Sequence, residues 1–158
     1  MPEVQISSAE LSDISAIQKL LQPYVDTKIV LPRSEAQIKN DLPYTWIARY
    51  ANEIAGVVNL TFFQPDLAEV RGLVVRKNMQ RHHIGQALVL ATIQFLKNNP
   101  DKKVNTLFAL TYIPDFFLSI GFSVVQKEKF PPKIYEVCQF CDKRDNCQEI
   151  AVELNLLA

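Results

Sequence analysis

Between Glu69 and Ala87 the chain reads EVRGLVVRKNMQRHHIGQA, which gathers a carboxylate, several guanidinium and imidazole groups and a glycine into one short stretch. The Val- and Leu-rich part, Glu69 to Val75, reads as a strand. Arg76 to His83 is a polar turn carrying Arg76, Lys77, Arg81, His82 and His83, and Ile84-Gly85-Gln86-Ala87 opens an amphipathic helix. Such a junction suits an anion. The first N–H groups of a helix lack internal partners, the helix dipole favours negative charge there, and Gly85 lets a phosphate approach the backbone. Glu69 and Arg71 sit two apart on the strand and so share a face. A separate constellation, Cys138-x-x-Cys141 with Cys147, has the spacing of thiolate metal ligands. It lacks a fourth ligand and sits in a charged run, so free thiols are the expectation and metal the weaker alternative.

The elements that must position these groups follow from periodicity and punctuation. The 158 residues suit one domain, and a 48% apolar content makes the chain globular. Seventeen basic residues balance seventeen acidic ones, so no net field recruits nucleic acid or a membrane surface. The first residues have neither the basic nor the apolar region of a signal peptide, and the longest uncharged helical stretch is too short for a bilayer. A soluble, cytoplasmic protein is expected.

Val4–Ile6 predicts a strand. Ser12 or Asp13 caps a helix that Pro23 ends. Ser34, with Gln37 three residues on, forms a capping box for a helix over 35–41. Strands are expected at 45–50 and 53–63, joined by a hairpin turn at Ala51-Asn52, and at 66–76. A helix over 84–98 has Ile84, Ala87, Leu88, Ala91 and Phe95 on one face. A strand over 104–110, a helix over 113–120 stopped by Gly121 in a left-handed conformation, and strands over 122–127 and 151–156 complete the order. The pattern predicts an α/β (mixed α+β) domain over 1–158, one mixed sheet with helices on both faces.

At Gln80 to Gly85 the chain resembles the GNAT superfamily of acyl-CoA-dependent N-acetyltransferases. Their pyrophosphate loop follows Arg/Gln-x-x-Gly-x-Gly/Ala; Gln80 and Gly85 match, and His83 stands at the first glycine. The order of elements is similar too. Four more segments resemble short, single-domain bacterial N-acetylglutamate synthases. They are Leu31-Pro32-Arg33-Ser34, Ala68-Glu69-Val70-Arg71, the run from Leu107 to Tyr112 with Pro114–Phe117 and Gly121-Phe122, and Pro131–Tyr135 with the three cysteines.

The resemblance implies a mostly antiparallel sheet whose central strand pair splays to admit acyl-CoA. It implies acetyl-CoA as co-substrate, with no metal. Val74, Val75, Arg76, Gln80, Arg81, His82, His83, Ile84, Gly85, Gln86 and Ala87 are the expected contacts, and a backbone N–H near Val75 would stabilise the thioester oxyanion. The reaction implied is acetylation of the α-amine of an amino acid, L-glutamate first, which opens arginine biosynthesis.

An amine attacks only when unprotonated, and Glu69 is the general-base candidate, with a cross-strand ion pair as its other reading. Arg71 and Arg33 are candidate clamps for substrate carboxylate, or else solvated surface groups, and Lys28 is a weaker clamp. Phe117 stands where many members of the superfamily have the tyrosine that protonates the departing thiolate. Tyr112 is therefore the candidate acid, unless coenzyme A simply leaves as the thiolate. The rival readings are an acetyltransferase for another small amine and a non-catalytic module that binds coenzyme A or metal. The expected partner is a small amino acid, with no nucleic acid and no membrane; a homodimer is kept open.

Overall fold

The computed structural model describes residues 3–27, 32–63, 65–80, 82–130 and 149–157. The elements are β1 (Gln5–Ser8), α1 (Ile14–Asp26), α2 (Glu35–Asp41), β2 (Thr45–Tyr50), β3 (Glu53–Phe63), β4 (Leu67–Val75), α3 (Ile84–Asn98), β5 (Thr106–Thr111), α4 (Pro114–Leu118), β6 (Ser123–Val125) and β7 (Ile150–Asn155). Among the described residues the strands form one seven-stranded sheet in the order β1-β2-β3-β4-β5-β7-β6. The pairs β1–β2, β2–β3, β5–β7 and β6–β7 are antiparallel. The β4–β5 pair is parallel, running from Leu67↔Thr106 to Glu69↔Phe108.

The chain forms two compact units, Met1–Thr61 with Val70–Phe95, and Phe62–Glu69 with Leu96–Ala158. In the first, Ser34 and Gln37 make the reciprocal capping box that starts α2. Ala51 and Asn52 turn the β2–β3 hairpin with φ of 50° and 67°, the left-handed pair that a two-residue turn needs. Ile17, Leu21, Ile38, Ile47, Val57 and Val74 bury the α1 and α2 side of the sheet. On the opposite face, a Cβ on Gly56 would meet Leu88 Cδ1 at 2.9 Å and Ile84 Cγ2 at 3.2 Å, so α3 lies directly on β3 there. In the second unit Phe108 stacks on Phe130, with ring centroids 4.2 Å apart, and tilts against Phe63.

Several expectations need correction. Pro23 does not end α1, which runs on to Asp26. Tyr24 and Val25 pack against the core and Tyr24 Oη donates to the Val75 carbonyl, so tertiary contacts hold the turn that Pro23 weakens. The buried face of α3 is Ile84, Leu88, Val89, Thr92, Ile93 and Leu96, rotated from the expected stripe. Ala87, Ala91 and Phe95 are only half-buried. The first strand starts one residue later than expected and ends two later, at Gln5–Ser8, and β5 runs from Thr106 to Thr111. The helix expected over 113–120 is α4, shortened to five residues that begin with Pro114. Gly121, at φ 118°, follows it as expected. The strand expected over 122–127 contracts to β6.

Candidate acyl-CoA and acceptor sites

The end of β4 is held by bonds that fix which way its backbone points. The Arg76 amide donates to the Ala55 carbonyl at 2.7 Å, and the Arg76 guanidinium binds Glu53 and the Ile54 carbonyl at 2.7 and 2.6 Å. Arg76 is thus anchored to the tip of the β2–β3 hairpin. Strand amides alternate in direction, so Val75, one residue earlier, presents its N–H and C=O to the side away from β3. The Val75 carbonyl accepts there from Tyr24 Oη at 3.0 Å and from Gln80 Nε2 at 3.2 Å. Gln80 Nε2 also donates to Tyr24 Oη at 3.0 Å. Gln80 therefore folds the turn back onto the strand. Tyr24 is a residue that sequence reasoning missed, and 51 positions separate it from Val75.

The turn continues through a short 3-10 segment, Lys77–Met79, to the start of α3. His83 adopts φ 62°, and its carbonyl accepts from the Ala87 amide at 3.0 Å, the first bond of the helix. The amides of Ile84, Gly85 and Gln86 precede that bond and have no partner within the helix. His82 and His83 are exposed beside them. A diphosphate fits this junction, since three amides and a helix dipole converge where both imidazoles are accessible. Left-handed backbone at His83 also explains why the superfamily pattern has glycine at this position. Arg81, an expected contact, lies outside the described residues.

The two candidate clamps both lie in the first unit. Gly72 kinks β4 with φ 59°, and a Cβ there would stand 3.7 Å from Arg33 Nη1. Arg33 thus reaches the strand one residue from Arg71. Arg33 is mostly buried, and its Nη2 binds Asp41 Oδ2 at 2.6 Å. Arg71 Nη1 lies 3.5 Å from Thr61 Oγ1. Lys28 lies outside the described residues.

In the second unit Glu69 is 2% exposed, and it pairs in register with Phe108 of β5. Tyr112 follows the end of β5, four residues past Phe108. Strand rise puts its Cα roughly 13 Å further along than the level of Glu69. Tyr112 is exposed at 43%, whereas Phe117 is buried against Phe116 and Phe122. Phe117 therefore packs α4 and offers no proton. Cys138, Cys141 and Cys147 lie outside the described residues. Among the described residues no three His, Cys, Asp or Glu groups cluster as metal ligands, and no helix is long and apolar enough to cross a membrane.

Comparison with known proteins identifies the family. Residues 12–117 match the model of the Acetyltransferase (GNAT) family. An uncharacterized N-acetyltransferase of Chlorobaculum tepidum is 33% identical over 147 residues, covering 93% of each chain. An amino-acid acetyltransferase of Mycobacterium tuberculosis is 26% identical over 87% of this chain and 79% of its own. The fold is also similar to that of the N-acetylglutamate synthase of Neisseria gonorrhoeae, solved with coenzyme A and N-acetyl-glutamate. The TM-score is 0.79 at 22% identity, covering 98% of this chain and 35% of that one, so this chain spans about a third of that synthase. The chain belongs to the acetyltransferase (GNAT) family, enzymes that transfer an acyl group from acetyl-CoA to an amine.

Proposed function

We propose that residues 1–158 form a single catalytic domain that acetylates the α-amine of an amino acid, with L-glutamate as the acceptor. The observation that carries this reading is the approach of Arg33 Nη1 to β4 at Gly72, one residue from Arg71. A guanidinium that reaches β4 beside the residue bearing a second one suits an acceptor with two carboxylates. A mycobacterial relative named amino-acid acetyltransferase and a fold neighbour that binds N-acetyl-glutamate support the same acceptor class.

Acetyl-CoA supplies the activated acyl carbon. The amides of Ile84, Gly85 and Gln86 bind its diphosphate, with His82, His83 and the Gln80–Ala87 stretch around it. The edge of β4 at Val74–Arg76 aligns the pantetheine, and the Val75 amide donates to the thioester oxygen as it gains charge. Arg33 and Arg71 hold the acceptor carboxylates so that its amine faces the acyl carbon, which removes much of the entropic barrier. Glu69 accepts the ammonium proton, directly or through water. The amine nitrogen bonds to the acyl carbon, the tetrahedral adduct releases its second N–H proton to solvent as the C–S bond breaks, and Tyr112 gives its hydroxyl proton to the departing sulfur and regains one from solvent.

A thiol-release assay across a panel of amino acids tests this reading. Glutamate should be the best acceptor. Arg33→Ala and Arg71→Ala should each raise its KM about tenfold or more, and leave the KM for acetyl-CoA within about twofold. Turnover of another amine in preference to glutamate, or variants that use glutamate like the parent, would overturn the acceptor assignment.

A further inference from the structure

Arg71 joins a polar chain that starts in the α2–β2 connection. Thr45 of β2 and Asn59 of β3 are paired in register, and both are almost fully buried, at 1% and 3% exposure. Val57, Asn59 and Thr61 alternate onto one face of β3. Val57 belongs to the apolar core beneath α1 and α2, so the face turns polar at Asn59 as it runs toward Thr61.

Buried polar groups in the middle of a sheet are costly unless each is satisfied, and here the partners are specific. Asn59 Nδ2 donates to the Tyr44 carbonyl and to Thr45 Oγ1, both at 3.1 Å. Thr45 Oγ1 donates to the Asp41 carbonyl at 2.7 Å. Thr61 Oγ1 donates to Asn59 Oδ1 at 3.1 Å.

Every proton in this chain has one direction. The Tyr44 carbonyl can only accept, so the nitrogen side of the Asn59 amide must face it and the oxygen side must face Thr61. That oxygen can only accept, so it takes the single hydroxyl proton of Thr61. Thr61 then shows only lone pairs to its other neighbour, Arg71, which can only donate. The 3.5 Å link to Arg71 is the longest in the chain, so Thr61 guides the guanidinium rather than locking it. The same lone pairs repel a carboxylate, so an anionic acceptor is steered past Thr61 onto the arginine. The chain ends at the backbone of Asp41, and the side chain of Asp41 holds Arg33.

We propose that Asn59 and Thr61 are positioning residues of the acceptor site: they guide Arg71 through a one-way hydrogen-bond chain anchored at Asp41, the residue that also holds Arg33. This rests on the reading that the two arginines bind the acceptor carboxylates. Both guanidinium groups are thereby referenced to one turn of backbone. Their separation follows from that shared anchor, which selects a dicarboxylate of one chain length over a shorter one.

Thr61→Val tests this with little change in shape, because Thr61 is only half-buried. The KM for glutamate should rise about five- to tenfold, with kcat and the KM for acetyl-CoA within about twofold. Preference for glutamate over aspartate should fall by a similar factor, and Thr61→Ser should restore both. In an Arg71→Ala background Thr61→Val should add nothing, because Thr61 acts through Arg71. Additive effects, or a Thr61→Val enzyme with the parent's glutamate KM, would overturn the inference while Arg71→Ala alone still weakens glutamate. An Arg71→Ala enzyme with an unaltered acceptor KM would overturn the clamp itself and this inference with it. Asn59→Leu, checked for folding by calorimetry, should reproduce the Thr61→Val pattern.

Discussion

Gly56 is the position where one added methyl group should be felt at both the core and the cofactor site. An alanine Cβ there would stand 2.9 Å from Leu88 Cδ1, 3.2 Å from Ile84 Cγ2 and 3.2 Å from the Val74 carbonyl oxygen. Relaxed contacts need about 3.5–4.0 Å. The Leu88 tip is flexible in isolation, but Leu88 is 0% exposed and Ile84 2%, so neither has space to retreat into. The Val74 oxygen is backbone. Overpacking of this kind costs about 1–3 kcal/mol, and replacing glycine returns about 0.4–1 kcal/mol through the unfolded chain. The net loss is about 1–2 kcal/mol, and for a chain of this length each kcal/mol lowers Tm by roughly 2–4 °C. The easiest relaxation lifts the start of α3 by about half an ångström, the contact shortfall itself. That draws the amides of Ile84, Gly85 and Gln86 away from a bound diphosphate, and the KM for acetyl-CoA should rise about five- to tenfold. Calorimetry and acetyl-CoA saturation curves measure the two effects. Pairing Gly56→Ala with Leu88→Ala should cost less than the sum of the single changes, since the smaller side chain makes room. Unchanged Tm and unchanged acetyl-CoA kinetics in Gly56→Ala would refute the close seating of α3 as the device that sets the helix start.

Two further outcomes are expected. His83 holds φ 62°, which glycine adopts freely and a β-branched residue resists, so stability should rank His83→Gly at or above the parent and His83→Val about 1–2 kcal/mol below it; urea midpoints in the reverse order would contradict the left-handed turn. Tyr24→Phe removes the hydroxyl shared by Val75 and Gln80, so stability should fall by about 1 kcal/mol and the KM for acetyl-CoA rise about three- to tenfold; identical acetyl-CoA titrations would detach Tyr24 from the cofactor loop.

What could be read from the sequence was mostly local. The Ser34–Gln37 capping box, the Ala51-Asn52 hairpin and the bounds of α3 depend on residues within a turn of one another, and each stands where expected. Pro23 misled because the contacts that hold the last turn of α1 come from β4 and the core. The buried face of α3 was misjudged because Val89, Thr92 and Ile93 widen it beyond one helical stripe. Gly72 gave no sign that it would kink β4, since a glycine within an apolar run reads equally as strand. For the candidate site, Glu69, Arg33, Arg71 and the turn could be named from the sequence because the chemistry proposed for them is in their residue types. Tyr24, Asp41, Asn59 and Thr61 could not, because the part proposed for them depends on partners that only the fold brings within hydrogen-bond reach.

The place of β7 between β5 and β6 carries a consequence for how the chain is made. Thr111 pairs with Ile150 and Thr106 with Asn155, so these partners are 39 and 49 residues apart in sequence. Closing loops of that length is entropically expensive and slow, and contacts so distant in sequence form late. On the ribosome, the residues of the first unit have all been synthesised once Phe95 has been added, whereas β5 and β6 must wait for a strand still untranslated. During that interval two strand edges stand open to other chains. A chaperone, or a pause in translation before residue 150, would act on this vulnerable window and hardly at all on the earlier half.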